Sequence, residues 1–208
     1  MDAGIGVGAG LRGAIGRWYR SGMARAGTGP KRKLSYRDLA ATPDDGKRYE
    51  VLDGVLSVSA SPVPRHQIVS ANLVHLLTGH VRARRLGQVL FAPVDVILDR
   101  HTVAVPDIVF ISTARSAIVT ERAIEGPPNL VVEILSPTTA RRDRVLKARL
   151  YATFGVPHYW IVDPRREVLH MYEAAGGAYG QPRTFLGNAV ASTPLFPRWR
   201  IDLAGVWS

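Results

Sequence analysis

The chain has 208 residues, 46% hydrophobic and 21% charged, with no cysteine and a formal net charge of +10. Its length fits one domain with a core able to fold alone, and the lack of cysteine excludes a disulfide scaffold and any thiolate-ligated zinc or iron–sulfur site. The longest uncharged stretch, His66 to Val81, carries His, Gln, Asn, Ser and Thr and falls short of the roughly 20 apolar residues of a membrane span.

Residues 1–33 form a Gly/Ala-rich leader whose seven basic residues and single acid, Asp2, supply six of the ten net charges. It has little hydrophobic periodicity, and Asp2 and Arg12 argue against a secretory signal. A disordered extension, or a start upstream of a true initiator at Met23, is the expectation; a nucleic-acid-binding arm is the alternative. Gly4, Gly6, Gly8 and Gly10 resemble a phosphate loop only superficially, since no strand precedes them and no Walker lysine follows. Residues 34–208 then read as a single domain.

Ser35 is a plausible cap for a short helix over Tyr36–Ala41, with Pro43 as its stop. Residues 49–52 and 55–58 read as two strands joined by Asp53-Gly54, a pair suited to a type I′ hairpin turn. His66 to Arg85 is helical by its period, with Ile68, Val69, Leu73, Leu76 and Leu77 on one face and Gly87 as a stop. Val89–Leu98 and Thr102–Ile111 read as strands around Asp99-Arg100-His101. Residues 129–135 form a nearly continuous apolar run, the mark of a central strand buried on both faces. Ser136-Pro137 opens a second helix reaching Phe154, and residues 158–162 and 167–172 form another hairpin. Further strand-like pieces lie near Thr184–Phe185 and Trp199–Leu203. The pattern describes one α/β domain with a mixed sheet and at least two substantial helices.

Two acids stand inside apolar strand patterns: Asp107 in Val-Pro-Asp-Ile-Val-Phe and Glu133 in Val-Val-Glu-Ile-Leu. A buried carboxylate is costly to ionise unless it is paired or binds a cation. Lying 26 residues apart, the two either share one hard divalent ion on adjacent strands, or pair with arginine or face solvent at strand ends. The lysine count bears on this. The chain holds 23 Arg but only four Lys, and Lys147 is the one lysine beyond Lys47. It falls 14 residues after Glu133, in a stripe with Asp143 and Tyr151 beside the apolar stripe of Leu146, Leu150 and Phe154. An ammonium approaches a phosphate oxygen or a metal-bound water as a point charge, and two carboxylates, a metal and a lysine suit phosphodiester hydrolysis.

These residues, with Arg48-Tyr49-Glu50-Val51-Leu52-Asp53-Gly54, Arg65-His66-Gln67 and Gly155-Val156-Pro157-His158-Tyr159-Trp160, resemble the Uma-two family, also called domain of unknown function 820. That family belongs to the PD-(D/E)XK, restriction-endonuclease-like nucleases, and the resemblance spans about residues 34–175. It implies a four-stranded mixed core flanked by helices, and a DNA endonuclease using Mg²⁺ or Mn²⁺. It also implies that Asp107 and Glu133 are metal ligands joined by the Ile134 carbonyl, with Glu50 as the upstream acid. The position two after Glu133 is Leu135 rather than the superfamily's lysine, and Lys147 on the following helix fits a relocated lysine.

Other residues carry alternatives. His66 is either a helix-terminal polar residue or a contact to phosphate or the metal shell. Arg141, Arg142, Arg144 and Arg149 form either a solvated basic face or a grip on DNA phosphates. Asp95 reads as a buried hydrogen-bonded acid before a second-metal ligand, His80 as a packed histidine, and Tyr159 and Trp160 as core. Neither His75 nor His80 makes a zinc spacing. The leading expectation is thus a cytoplasmic Mg²⁺-dependent DNA endonuclease with no membrane partner. Homodimerisation is compatible with it, since a dimer presents two sites to two strands. The alternatives are a non-catalytic nucleic-acid-binding or regulatory module on the same fold, and a structural protein whose strand acids are Arg-paired.

Overall fold

The structure is a computed structural model, and it describes residues 32–208; the leader up to residue 31, with its glycine run, lies outside the described residues. A short helix α1 (Tyr36–Leu39) leads into the hairpin of β1 (Arg48–Leu52) and β2 (Val55–Ser59). Asp53 and Gly54 both take positive φ, 52° and 81°, as the hairpin turn requires. The long helix α2 (Pro64–Ala83) starts two residues before the expected His66, because Pro64 has no N–H to satisfy at a first turn.

Two long strands expected from the apolar pattern are each broken in two. Val89–Leu98 becomes β3 (Gly87–Phe91) and β4 (Val96–Asp99), interrupted at Pro93. Thr102–Ile111 becomes β5 (Thr102–Ala104) and β6 (Ile108–Ser112). Pro106 lacks the donor a ladder needs, so the chain leaves one sheet and enters another there. Asp107 consequently lies at the joint between β5 and β6, not within a strand. Asp95 likewise lies in the link before β4.

After a 3₁₀ turn (Thr113–Ile118) and the short β7 (Ile124–Glu125), β8 (Leu130–Ile134) is buried along its full length. The second helix begins at Ala140, after a turn that follows Ser136-Pro137. α3 (Ala140–Arg142) runs through a π-helical turn (Asp143–Lys147) directly into α4 (Ala148–Thr153). Then come β9 (His158–Asp163), β10 (Val168–Ala175), β11 (Ala178–Tyr179), β12 (Arg183–Leu186), β13 (Val190–Thr193), β14 (Phe196–Asp202) and α5 (Ala204–Trp207).

The seven-stranded sheet has the order β11-β10-β9-β8-β6-β3, with β12 also paired to β10. β8 pairs antiparallel to β6 and parallel to β9, so the centre is mixed. The second sheet has the order β2-β1-β5-β4-β7, and β13 and β14 form a separate ribbon. Alternation along β8 divides the core. Leu130, Val132 and Ile134 meet Val69, Leu73, Leu77 and Val81 of α2 on one face. Val131 and Leu135 meet Leu150 and Tyr151 on the other, and Glu133 shares their parity. The period-two rule thus aims the carboxylate of β8 at the second helix. Tyr159 and Trp160 are fully buried, as expected, and His80 packs on Trp199 with ring centroids 4.3 Å apart.

Candidate active site

Glu50, central in β1, is completely buried. Its Oε1 accepts the Val105 amide at 2.9 Å and lies 2.7 Å from Lys147 Nζ. Its Oε2 is buried and accepts no hydrogen bond, with Arg142 Nη2 3.6 Å away. Asp107 accepts the Ile134 amide at 2.7 Å and His66 Nε2 at 3.2 Å on one oxygen, and Arg48 Nη1 at 2.9 Å on the other. This bond ties Asp107 to the end of β8, one residue past Glu133.

Glu133 accepts Lys147 Nζ at 2.8 Å and the Tyr151 hydroxyl at 2.7 Å, both on Oε1. The π-helical turn explains how Lys147 and its neighbours reach it. In a regular α-helix each four-residue step overshoots a full turn by about 40°. The wider π turn undershoots, so Asp143, Lys147 and Tyr151 stay in line, and all three are buried. The stripe facing the sheet is therefore the polar one, while Leu146 and Phe154 of the expected apolar stripe are only half-buried.

The electrostatics follow from this crowding. Burial opposes ionisation of Asp107, but the His66 hydrogen bond and the Arg48 charge outweigh it and hold the carboxyl down to about 2. Burial pushes Glu133 well above the usual carboxylate range, with Lys147 opposing and Asp143, Asp107 and Glu50 reinforcing. Burial would lower Lys147, yet Glu133, Glu50 and Asp143 together raise it, so the ammonium stays charged. Asp143 is raised by burial, partly offset by Lys147.

A cavity of about 220 Å³ opens onto this cluster, lined by Arg48, His66, Asp107, Glu133, Arg142, Asp143 and Lys147. Among the described residues, no group of three or more His, Asp or Glu side chains is arranged to hold a metal ion as it stands. The donor set nonetheless fits a hard divalent cation that takes one or two protein carboxylates and completes its shell with water. All its candidate ligands are oxygens, both bonds to Glu133 fall on Oε1, and Glu50 Oε2 is buried without a donor.

Of the residues singled out in the sequence, Glu50, Asp107, Glu133, Ile134 and Lys147 converge here, and so does His66, which turns inward to Asp107 and is 6% exposed. The four helix arginines do not form one face. Arg142 turns inward, donating to the hydroxyls of Ser57 and Ser59 on β2, the second at 2.6 Å. Arg144 pairs with Asp163 at 3.2 Å, and Arg141 and Arg149 are exposed. Asp95 stands apart, hydrogen-bonded to Tyr36. Arg48, Asp143 and Tyr151 belong to the cluster but were not among the expected site residues. The four-residue spacing of Asp143, Lys147 and Tyr151 was the available signal for two of them.

The chain matches the family model of Uma2, described as "Putative restriction endonuclease", over residues 35–204. Among solved structures it resembles the crystal structure of a "putative nuclease belonging to DUF820" from Anabaena variabilis. The TM-score is 0.70 at 16% identity, over 84% of this chain and 97% of that one. No curated protein matches it.

Proposed function

The chain belongs to the Uma2 family, and on that premise we propose that it is a metal-dependent endonuclease hydrolysing DNA phosphodiester bonds. The observation that carries this reading is the contact of Lys147 Nζ with both Glu50, at 2.7 Å, and Glu133, at 2.8 Å, on the wall of a cavity shared with Asp107. Asp107 and Glu133 would hold Mg²⁺ or Mn²⁺ with the Ile134 carbonyl, and Glu50 would complete the site directly or through water. The bound cation would lower the pKa of a coordinated water and offset charge on the phosphoryl oxygens. Lys147 is fixed by two carboxylates, so its charge is preorganised to orient a water and to oppose the negative charge of the transition state. Arg48 and Arg142 line the same cavity and would offset phosphate charge there. His66 holds Asp107 in place through Oδ2.

No helix among the described residues is long and apolar enough to cross a membrane, and a cytoplasmic enzyme, acting as a monomer or a homodimer, is consistent with this proposal. A second reading, a binding module without catalysis, draws support from one observation: Asp107 and Glu133 already accept bonds from the protein's own cations and amides. Calorimetry with Mn²⁺, paired with supercoiled plasmid, separates the two. The nuclease reading expects one or more ions bound per chain and plasmid relaxation only with metal present. DNA binding without cleavage under Mg²⁺ and Mn²⁺ favours the module, and the absence of ion binding, DNA binding and cleavage overturns both.

A further inference from the structure

Residues 54–94, which supply β2, α2 and β3, contain no Asp or Glu, although the chain holds 17 acids. The same 41 residues carry Arg65, Arg82, Arg84 and Arg85. Arg82, Arg84 and Arg85 are exposed at the end of α2, and none of them pairs with a carboxylate among the described residues. Arg65 is paired with Glu167 at 3.3 Å, so the cations this stretch leaves for a phosphate backbone are the three at the end of α2.

Within it lies a groove of about 650 Å³, larger than the cavity at the acid cluster, running between the exposed face of α2 and the edge strand β3. Gln67, His75, Thr78 and Arg82 line its helical wall, and Phe91, 59% exposed, stands at the end of β3. Both walls lead to the acid cluster at the same end. Gln67 follows His66, and Ala92, next after Phe91, donates its amide to the Asp107 carbonyl at 3.0 Å. From Gln67 to Arg82 the helix rises about 22 Å, the length of about six nucleotides at their stacked spacing.

Gly79 adds an independent observation. It sits in the interior of α2, where glycine costs about 1 kcal/mol relative to alanine. Its φ is not positive, and a Cβ there would meet nothing within 4 Å. Neither backbone conformation nor packing within the chain therefore calls for glycine, yet it keeps the groove wall open down to the main chain.

We infer that this groove holds one nucleic-acid strand running away from the acid cluster, with Phe91 as a stacking platform and Arg82 as a phosphate contact. The inference rests on the nuclease reading for its polarity, and it assigns the strand a path that reading does not specify. Stacking on an exposed aromatic tolerates any base, so binding here is independent of sequence.

The test is fluorescence anisotropy with a labelled 12-nucleotide single strand and the matching duplex, in EDTA and at low salt, so that cleavage does not intervene. Gly79→Gln fills open space and improves helix propensity, so the variant is expected to melt no lower than wild type. Its affinity for the single strand should nevertheless fall at least tenfold, as should that of Phe91→Ala, while Mn²⁺ binding at the acid cluster is unchanged. Gly79→Gln binding within twofold of wild type overturns the inference, even where wild type cleaves plasmid normally. A wild type that binds duplex alone also overturns it. So does unchanged DNA affinity alongside a concentration-dependent dimer that Gly79→Gln abolishes, which would assign the groove to a second copy of the chain. Strand binding lost in Gly79→Gln, in a protein that cleaves nothing, supports the groove and sinks the nuclease reading instead.

Discussion

Lys147 donates a 2.8 Å hydrogen bond to Glu133 from 14 residues further along the chain, with both side chains removed from solvent. The same nitrogen is 2.7 Å from Glu50, so one ammonium touches two buried carboxyl groups on strands of different sheets. Removing it leaves the buried Glu50 without that cation and Glu133 without that hydrogen-bond donor. Breaking a buried ion pair on one side costs about 3–5 kcal/mol. Lys147→Met, which keeps most of the side-chain volume, should therefore lose about that much in urea unfolding at pH 7. A loss below about 1 kcal/mol would mean that the carboxylates do not depend on Lys147.

The two carboxyls closest to β8 should give opposite pH dependences. Asp107 is held at about 2, below its ordinary value of 3.8. Its contribution is present above the unfolded value and is lost as the pH falls through about 2, an effect on the order of 2 kcal/mol. Glu133 is raised above 4.5, so its contribution is present below that value and is lost as the pH rises through the elevated one. Unfolding in EDTA should show wild type losing stability relative to Glu133→Gln between pH 5 and 8. Relative to Asp107→Asn, it should lose its advantage between pH 4 and 2. Parallel curves across both windows would contradict the assignment.

Arg142 and Arg144 lie two residues apart on one helix yet should behave differently. Arg142 lines the cavity and is held by the hydroxyls of Ser57 and Ser59, whereas Arg144 is occupied by Asp163. Arg142→Ala should weaken DNA binding about tenfold and reduce the salt slope by about 1, as loss of one phosphate contact does. Arg144→Ala should leave the slope unchanged. Equal effects in titrations at several salt concentrations would restore a common basic face.

The sequence was most legible where burial and period agree. The unbroken apolar run of β8 and the helical stripe of α2 both appear where their patterns put them. The Asp-Gly turn forms because its positive φ angles are a local property of two residues. Apolar continuity failed at Pro93 and Pro106. There a single pattern spans two sheets, and only the missing proline donor marks the change. The clustering of Asp107, Glu133 and Lys147 was foreseeable from misplaced charge, and the place of Glu50 beside them from the family resemblance alone. Arg48 and Asp143 were not, because an arginine beside a hairpin and an acid on a basic helix have ordinary solvated explanations. The π turn that lines up Asp143, Lys147 and Tyr151 has no sequence signature we can name.

The most direct measurement is cleavage of supercoiled plasmid with Mg²⁺ or Mn²⁺ by wild type, Asp107→Asn and Glu133→Gln, each verified as folded by circular dichroism. Wild type should nick or linearise the plasmid and stop in EDTA. Each variant should lose at least a hundredfold in rate, about 2.7 kcal/mol of transition-state stabilisation, while still binding DNA. Cleavage by either folded variant at the wild-type rate would contradict the account, because the acid cluster would then not be where the phosphodiester is broken.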